Sequence, residues 1–163
     1  MSTSHVVSAS EFFDGRPVAE SGWVEVTQPM ISEFGHATCD PDPMHVDPEW
    51  AGEHSPYGGT IAFGFQTMGM LTHLMHLARG TRSEDAREHA ASGHALNYGF
   101  NKVRLVAPVR VGSEVRGRFR ALETHMDEKG RQLTTVEAII DIRGEDRPAL
   151  VAEWLFVWVP AGA

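Results

Sequence analysis

The spacing of apolar residues divides the chain into a helical part and a strand part. Residues 22–27 (GWVEVT) alternate apolar and polar side chains, which predicts a short strand. Residues 27–38 (TQPMISEFGHAT) switch to helical spacing: Met30, Ile31 and Phe34 supply one apolar side, Thr27 offers an N-cap and Pro29 suits a first turn. Residues 48–54 (PEWAGEH) predict another short helix, with Asp47 as its N-cap. A turn cluster, SPYGG, then leads into residues 61–78 (IAFGFQTMGMLTHLMHLA), eighteen residues without a formal charge. That run is short for a membrane span, and Gln66, Thr67, Thr72, His73 and His76 are costly in lipid. It predicts a helix buried in a protein core, with no membrane partner.

Beyond a polar segment at residues 79–93 the spacing becomes that of strands. ALNYGFNKVRLVAPV comes first, with Pro108 marking its end. SEVRGRFRAL places Val115, Gly117 and Phe119 on one face and Arg116, Arg118 and Arg120 on the other. EKGR is a hairpin turn signal, and QLTTVEAIIDI aims Thr134, Val136, Ala138, Ile140 and Ile142 inward. ALVAEWLFVWV is apolar at nearly every position, as in a strand covered on both sides. One buried helix with a run of strands to wrap it is an α+β plan, and 163 residues suit a single domain, 1–163.

Charge and cysteine usage narrow the partners. A net charge of −8 argues against nucleic acid, which needs a basic footprint. A lone Cys39 forms no internal disulfide and fits a reducing compartment. The opening MSTSHVVSASEFFDG has neither a basic n-region nor a long apolar run, so the expected location is cytoplasmic. His73 and His76 share a helical face, yet no carboxylate falls at a matching position on that helix, and no metal site is expected. The basic run from 102 to 120, opposed only by Glu114, reads either as a solvated strand face or as a dock for phosphates.

The densest chemistry lies at residues 40–48, DPDPMHVDP, with three aspartates and a histidine between prolines. Prolines at that density exclude an ordinary helix or a central strand. The residue types alone leave three readings open: an acidic turn, a metal site, or an acid–base pair.

In context the stretch FGHATCDPDPMHVDPEWA resembles the hydratase motif of the MaoC-like, (R)-specific enoyl-CoA hydratase family. SPYGGTIAFG resembles that family's entry into its central helix, and the later strands resemble nodulation-protein-N-like members. The resemblance covers about residues 20–159. It implies a hotdog fold, in which a curved antiparallel sheet wraps one long central helix, and a homodimer or higher homo-oligomer. It implies hydration or dehydration across the 2,3 double bond of an acyl thioester such as an acyl-CoA, without metal or redox cofactor. Asp40 and His45 match the catalytic pair, the backbone N–H of Gly64 matches the oxyanion donor, and Thr72 matches a small hydroxyl lining the pocket. The chemistry is consistent: water needs a base, the α-carbon needs an acid, and the enolate-like oxygen needs a donor.

Three positions depart from the family's pattern. Cys39 stands for a glycine, Asp42 for an asparagine near the substrate, and Phe63 for a histidine at the pocket mouth. They keep two other readings in view: an acyl-CoA thioesterase on the same fold, and a non-catalytic thioester-binding subunit.

Overall fold

A computed structural model describes residues 18–80, 93–128 and 131–160. Its elements, in chain order, are β1 (Ala19–Glu20), β2 (Val24–Glu25), α1 (Gln28–Thr38), α2 (Pro43–Val46), α3 (Pro48–His54), α4 (Gly64–Arg79), β3 (Gly93–Leu105), β4 (Glu114–Met126), β5 (Gln132–Ile142) and β6 (Leu150–Pro160). The strands form one antiparallel sheet in the order β1-β4-β5-β6-β3, with β2 also paired to β4. The sheet curves around α4, the hotdog arrangement.

The core lies between α4 and the inner face of the sheet. Met70, Leu71, Leu74, Met75 and Ala78 point inward from the helix and meet Val115, Phe119, Val136, Ala138, Ile140, Leu150 and Trp154. Full burial of side chains such as Leu71 and Leu74 is worth roughly 1.5–3 kcal/mol each. Gly117 lies under the helix: a Cβ there would stand 2.9 Å from Leu74 Cβ and 2.6 Å from the Phe119 ring. Its missing side chain lets α4 approach the sheet. Among the described residues, no helix is long and apolar enough to cross a membrane.

Three expectations change. A one-turn helix, α2, forms inside the proline-rich stretch, because Pro43 falls in the first turn, where its missing N–H costs nothing. The β6 strand is buried mainly on its inner face; on the outer face Val157 is buried, while Val151, Glu153 and Leu155 are half-buried. The long β4–β5 pair continues past residue 122 to a hairpin where the Asp127 and Arg131 backbones close at 2.8 Å. The polar segment at 79–93 lies mostly outside the described residues, as does part of the EKGR turn.

Half of the basic run is ion-paired. Arg116, Arg118 and Arg120 lie on the outer face and pair with Glu20, Asp141 and Glu137. Arg118 grips both oxygens of Asp141, at 2.7 and 2.9 Å. That bond holds the Asp141 carboxyl below the usual carboxylate range and raises the Arg118 guanidinium. These three arginines thus belong to a solvated, ion-paired strand face.

Candidate active site

The proline-rich stretch is placed by the end of α1. The helix closes with a Schellman cap: Cys39 N–H donates to the His36 carbonyl at 3.3 Å, and Asp40 N–H to the Gly35 carbonyl at 2.9 Å. Cys39 holds the left-handed conformation this requires, with φ 56° and ψ 33°. The glycine expected here would adopt it without a Cβ penalty; Cys39 adopts it with one. Asp40 is therefore set at a fixed point of a helix cap.

Each aspartate then has its own local task. One Asp40 oxygen accepts the Asp42 N–H at 3.2 Å, an Asx turn. Asp42 Oδ1 accepts the Met44 N–H at 2.9 Å and caps α2. Asp47 Oδ1 accepts the Trp50 N–H at 3.0 Å and caps α3, as its position before Pro48 implies. Asp40 is exposed and His45 half-buried.

His45 rides on the single turn of α2, against the entry to α4. Its Nδ1 lies 2.7 Å from the Ile61 carbonyl oxygen. A carbonyl only accepts, so Nδ1 carries the proton and Nε2 of the neutral ring keeps its lone pair. The Phe63 ring packs on the imidazole, with centroids 3.9 Å apart and planes tilted by 31°. Phe63 also meets Phe34 at 5.2 Å. It is 4% exposed, so it lies beneath His45 as a wall of the core rather than at a pocket mouth. A histidine there would bury a polar ring; phenylalanine gives the site an apolar floor.

These groups converge on Gly35. A Cβ on that residue would stand 2.7 Å from Val46, 3.0 Å from the Asp40 carbonyl oxygen and 3.0 Å from the Phe63 ring. Gly35 thus draws the Asp40 backbone, α2 and the residue before α4 together.

Phe63 is the N-cap of α4 and Gly64 its first residue, so the Gly64 N–H has no acceptor within the helix. The positive end of the helix dipole lies at that amide. Beside it runs a groove of about 430 Å³, lined by Gly64, Phe65, Met68, Val103, Arg104 and Leu105. Leu105 packs against Gly64 so closely that any Cβ at residue 64 would collide with its Cδ1. Gly64, Met68 and Thr72 follow one another at four-residue spacing, which puts the exposed Thr72 hydroxyl on the groove's flank of the helix. His73 and His76 are exposed on α4, and among the described residues no three His, Cys, Asp or Glu side chains gather as metal ligands would.

Sequence reasoning passed over Gln28, Gly35, Thr60 and the Ile61 carbonyl. Gln28 Nε2 donates to the His45 carbonyl at 2.9 Å and to Ser32 Oγ at 3.1 Å; its Oε1 accepts from Thr60 Oγ1 at 2.5 Å. Gly35 alone left a signal, since a glycine inside a short helix costs about 1 kcal/mol against alanine unless packing demands it. A backbone carbonyl leaves none.

The comparisons with known proteins agree with the fold. The MaoC like domain family matches residues 12–141. Nodulation protein N of Rhizobium leguminosarum bv. viciae is 38% identical over 88% of this chain and 84% of its own length. The 3-hydroxyacyl-thioester dehydratase Z of Mycobacterium tuberculosis is 37% identical over 89% of this chain and 90% of its own. Among solved structures, R-hydratase PhaJ1 from Pseudomonas aeruginosa has the same fold, with a TM-score of 0.69 at 14% identity, over 94% of this chain and 86% of that one. This chain belongs to the MaoC-like domain family.

Proposed function

We propose that the protein is a hydro-lyase that adds water across, or removes it from, the 2,3 double bond of an acyl thioester, CoA-linked, by (R)-specific chemistry. The observation that carries this reading is the His45 ring, with Nδ1–H on the Ile61 carbonyl and Nε2 left bare close to the entry of α4. Asp40 and His45 share one water. In the hydration direction its oxygen bonds to C3 as its proton passes to this pair through Nε2. The alkene electrons move onto the thioester oxygen, and the Gly64 N–H at the positive end of α4 stabilises the resulting enolate. When the enolate collapses, a proton from the pair arrives at C2, and no electron leaves the substrate. Side-chain acid–base chemistry and one backbone donor supply every step, so the reading calls for no metal or redox cofactor.

In this reading the groove beside Gly64, with Met68 and Thr72 along it, borders the bound thioester. Asp42 acts through α2, and Phe63 through the ring it supports. The assembly is a homodimer built on the edge of β3 that no other strand covers among the described residues, whose 13 residues expose Leu96, Tyr98 and Leu105. The location is cytoplasmic, in keeping with an exposed, free Cys39.

The test uses crotonyl-CoA and longer trans-2-enoyl-CoAs. Loss of the conjugated chromophore without free thiol is the expected result. Thiol release would make the protein a thioesterase, and binding without turnover would make it a non-catalytic subunit.

A further inference from the structure

We infer that the Gln28–Thr60 pair is the positioning device of His45, holding its ring in the tautomer that leaves Nε2 free. The inference rests on the acid–base reading of His45. Three hydrogen bonds close a ring through three separate stretches of chain. His45 Nδ1–H reaches the Ile61 carbonyl, Thr60 Oγ1–H reaches Gln28 Oε1, and Gln28 Nε2–H reaches the His45 carbonyl. A further bond, Ile61 N–H to the Met44 carbonyl at 3.3 Å, ties residues 44–45 to residues 60–61.

The amide can sit only one way round. The His45 carbonyl accepts and never donates, so the group facing it is the NH2 of Gln28, and its Oε1 must turn to the Thr60 hydroxyl. Thr60 is 1% exposed, so water is a poor substitute partner. Gln28 is thus clamped at both ends of its amide and at Ser32. It fixes the His45 main chain relative to residues 60–61, and residue 61 supplies the acceptor that decides which ring nitrogen holds the proton. If this clamp is lost, only the bond from Ile61 N–H to the Met44 carbonyl ties the His45 main chain to residue 61, and the Nε2–H tautomer becomes accessible. That tautomer has no lone pair at Nε2 for water.

Gln28→Met keeps the size of the side chain and removes all three of its bonds, to His45, Thr60 and Ser32. The whole protein, labelled with 15N-histidine, reports the ring tautomer directly, and the His45 signal is assigned by its absence in His45→Gln. In Gln28→Met we expect the Nδ1–H signature to give way to a mixture, and kcat on a trans-2-enoyl-CoA to fall about 10–100-fold with KM little changed. A wild-type tautomer signature, or wild-type kcat in the folded variant, overturns the inference. Should Gln28→Met fail to fold, Thr60→Ser and Thr60→Val decide. The serine keeps the hydroxyl and should retain both signature and rate; the valine keeps the shape and should lose both, and the opposite order overturns the tether. His45→Gln separates the two layers. Normal turnover in that variant removes the acid–base reading beneath the inference, whereas normal turnover in Gln28→Met alone removes only the tether.

Discussion

At the scale of single residues, Asp40 and Asp42 are two carboxylates with different work. Asp42 uses one oxygen to cap α2, and an asparagine keeps an oxygen in the same place. Asp42→Asn should therefore preserve the activity or raise it, while Asp40→Asn should lower kcat by about 10²–10⁴-fold by removing a base. Steady-state rates of the two variants on one enoyl-CoA check this, and equal, severe losses in both would refute the division of roles. The candidates Asp40 and His45 could be named from the sequence because side chains carry them. The Ile61 carbonyl was not, since any residue at that position presents the same oxygen. Nor was the Gln28–Thr60 contact, whose partners stand 32 positions apart.

At the scale of elements, local signals did well where one rule governed a whole segment. The α3 helix spans the predicted PEWAGEH, and β5 spans QLTTVEAIIDI, because a cap and a proline define one and strict alternation the other. The β4 strand runs past its predicted end because a register shift between Ala121 and Glu123 changes the phase of the alternation. The α2 helix went unread because a single turn has no period to detect. Gly35 joins elements, and its substitution is the sharpest test of how α1 seats the site. Alanine would gain helix propensity, yet its Cβ would press on Val46, the Asp40 carbonyl and Phe63. Gly35→Ala should lose about 1–2 kcal/mol of stability and most of the activity, measured by urea denaturation and turnover.

The outer face of the sheet offers a pH test at the same scale. The folded-state pKa of Asp141 is lowered by Arg118, so its stabilisation is fully present above the ordinary carboxylate pKa, about 4. It is lost as pH falls through the lowered value. Asp141→Asn should cost about 1 kcal/mol at neutral pH, held to that size by solvent screening, and the deficit should close in acid. Urea midpoints of both proteins from pH 7 downward give the comparison. A deficit independent of pH would mean that packing, not charge, is at stake.

At the scale of the molecule, the overall plan was readable from one uncharged helix followed by long strands. The wrapping order, β1-β4-β5-β6-β3, was not, since pairing between distant strands leaves no mark on local spacing. That order leaves β3 at the rim with its apolar side chains outward. If the proposed homodimer forms on this edge, replacing both Leu96 and Tyr98 with aspartate should convert it to a monomer, as light scattering on an eluting peak would show.

Leu105 gives that rim a second meaning. It ends the edge strand and also packs against Gly64, so whatever covers β3 also sets how firmly Leu105 sits over the first amide of α4. In the proposed homodimer, with Gly64 N–H as the donor, self-association and transition-state stabilisation would be linked quantities: a second copy would tighten the donor, and substrate held by the donor would favour the second copy. Specific activity should fall on dilution through the dimer dissociation constant and return when excess substrate draws the subunits back together.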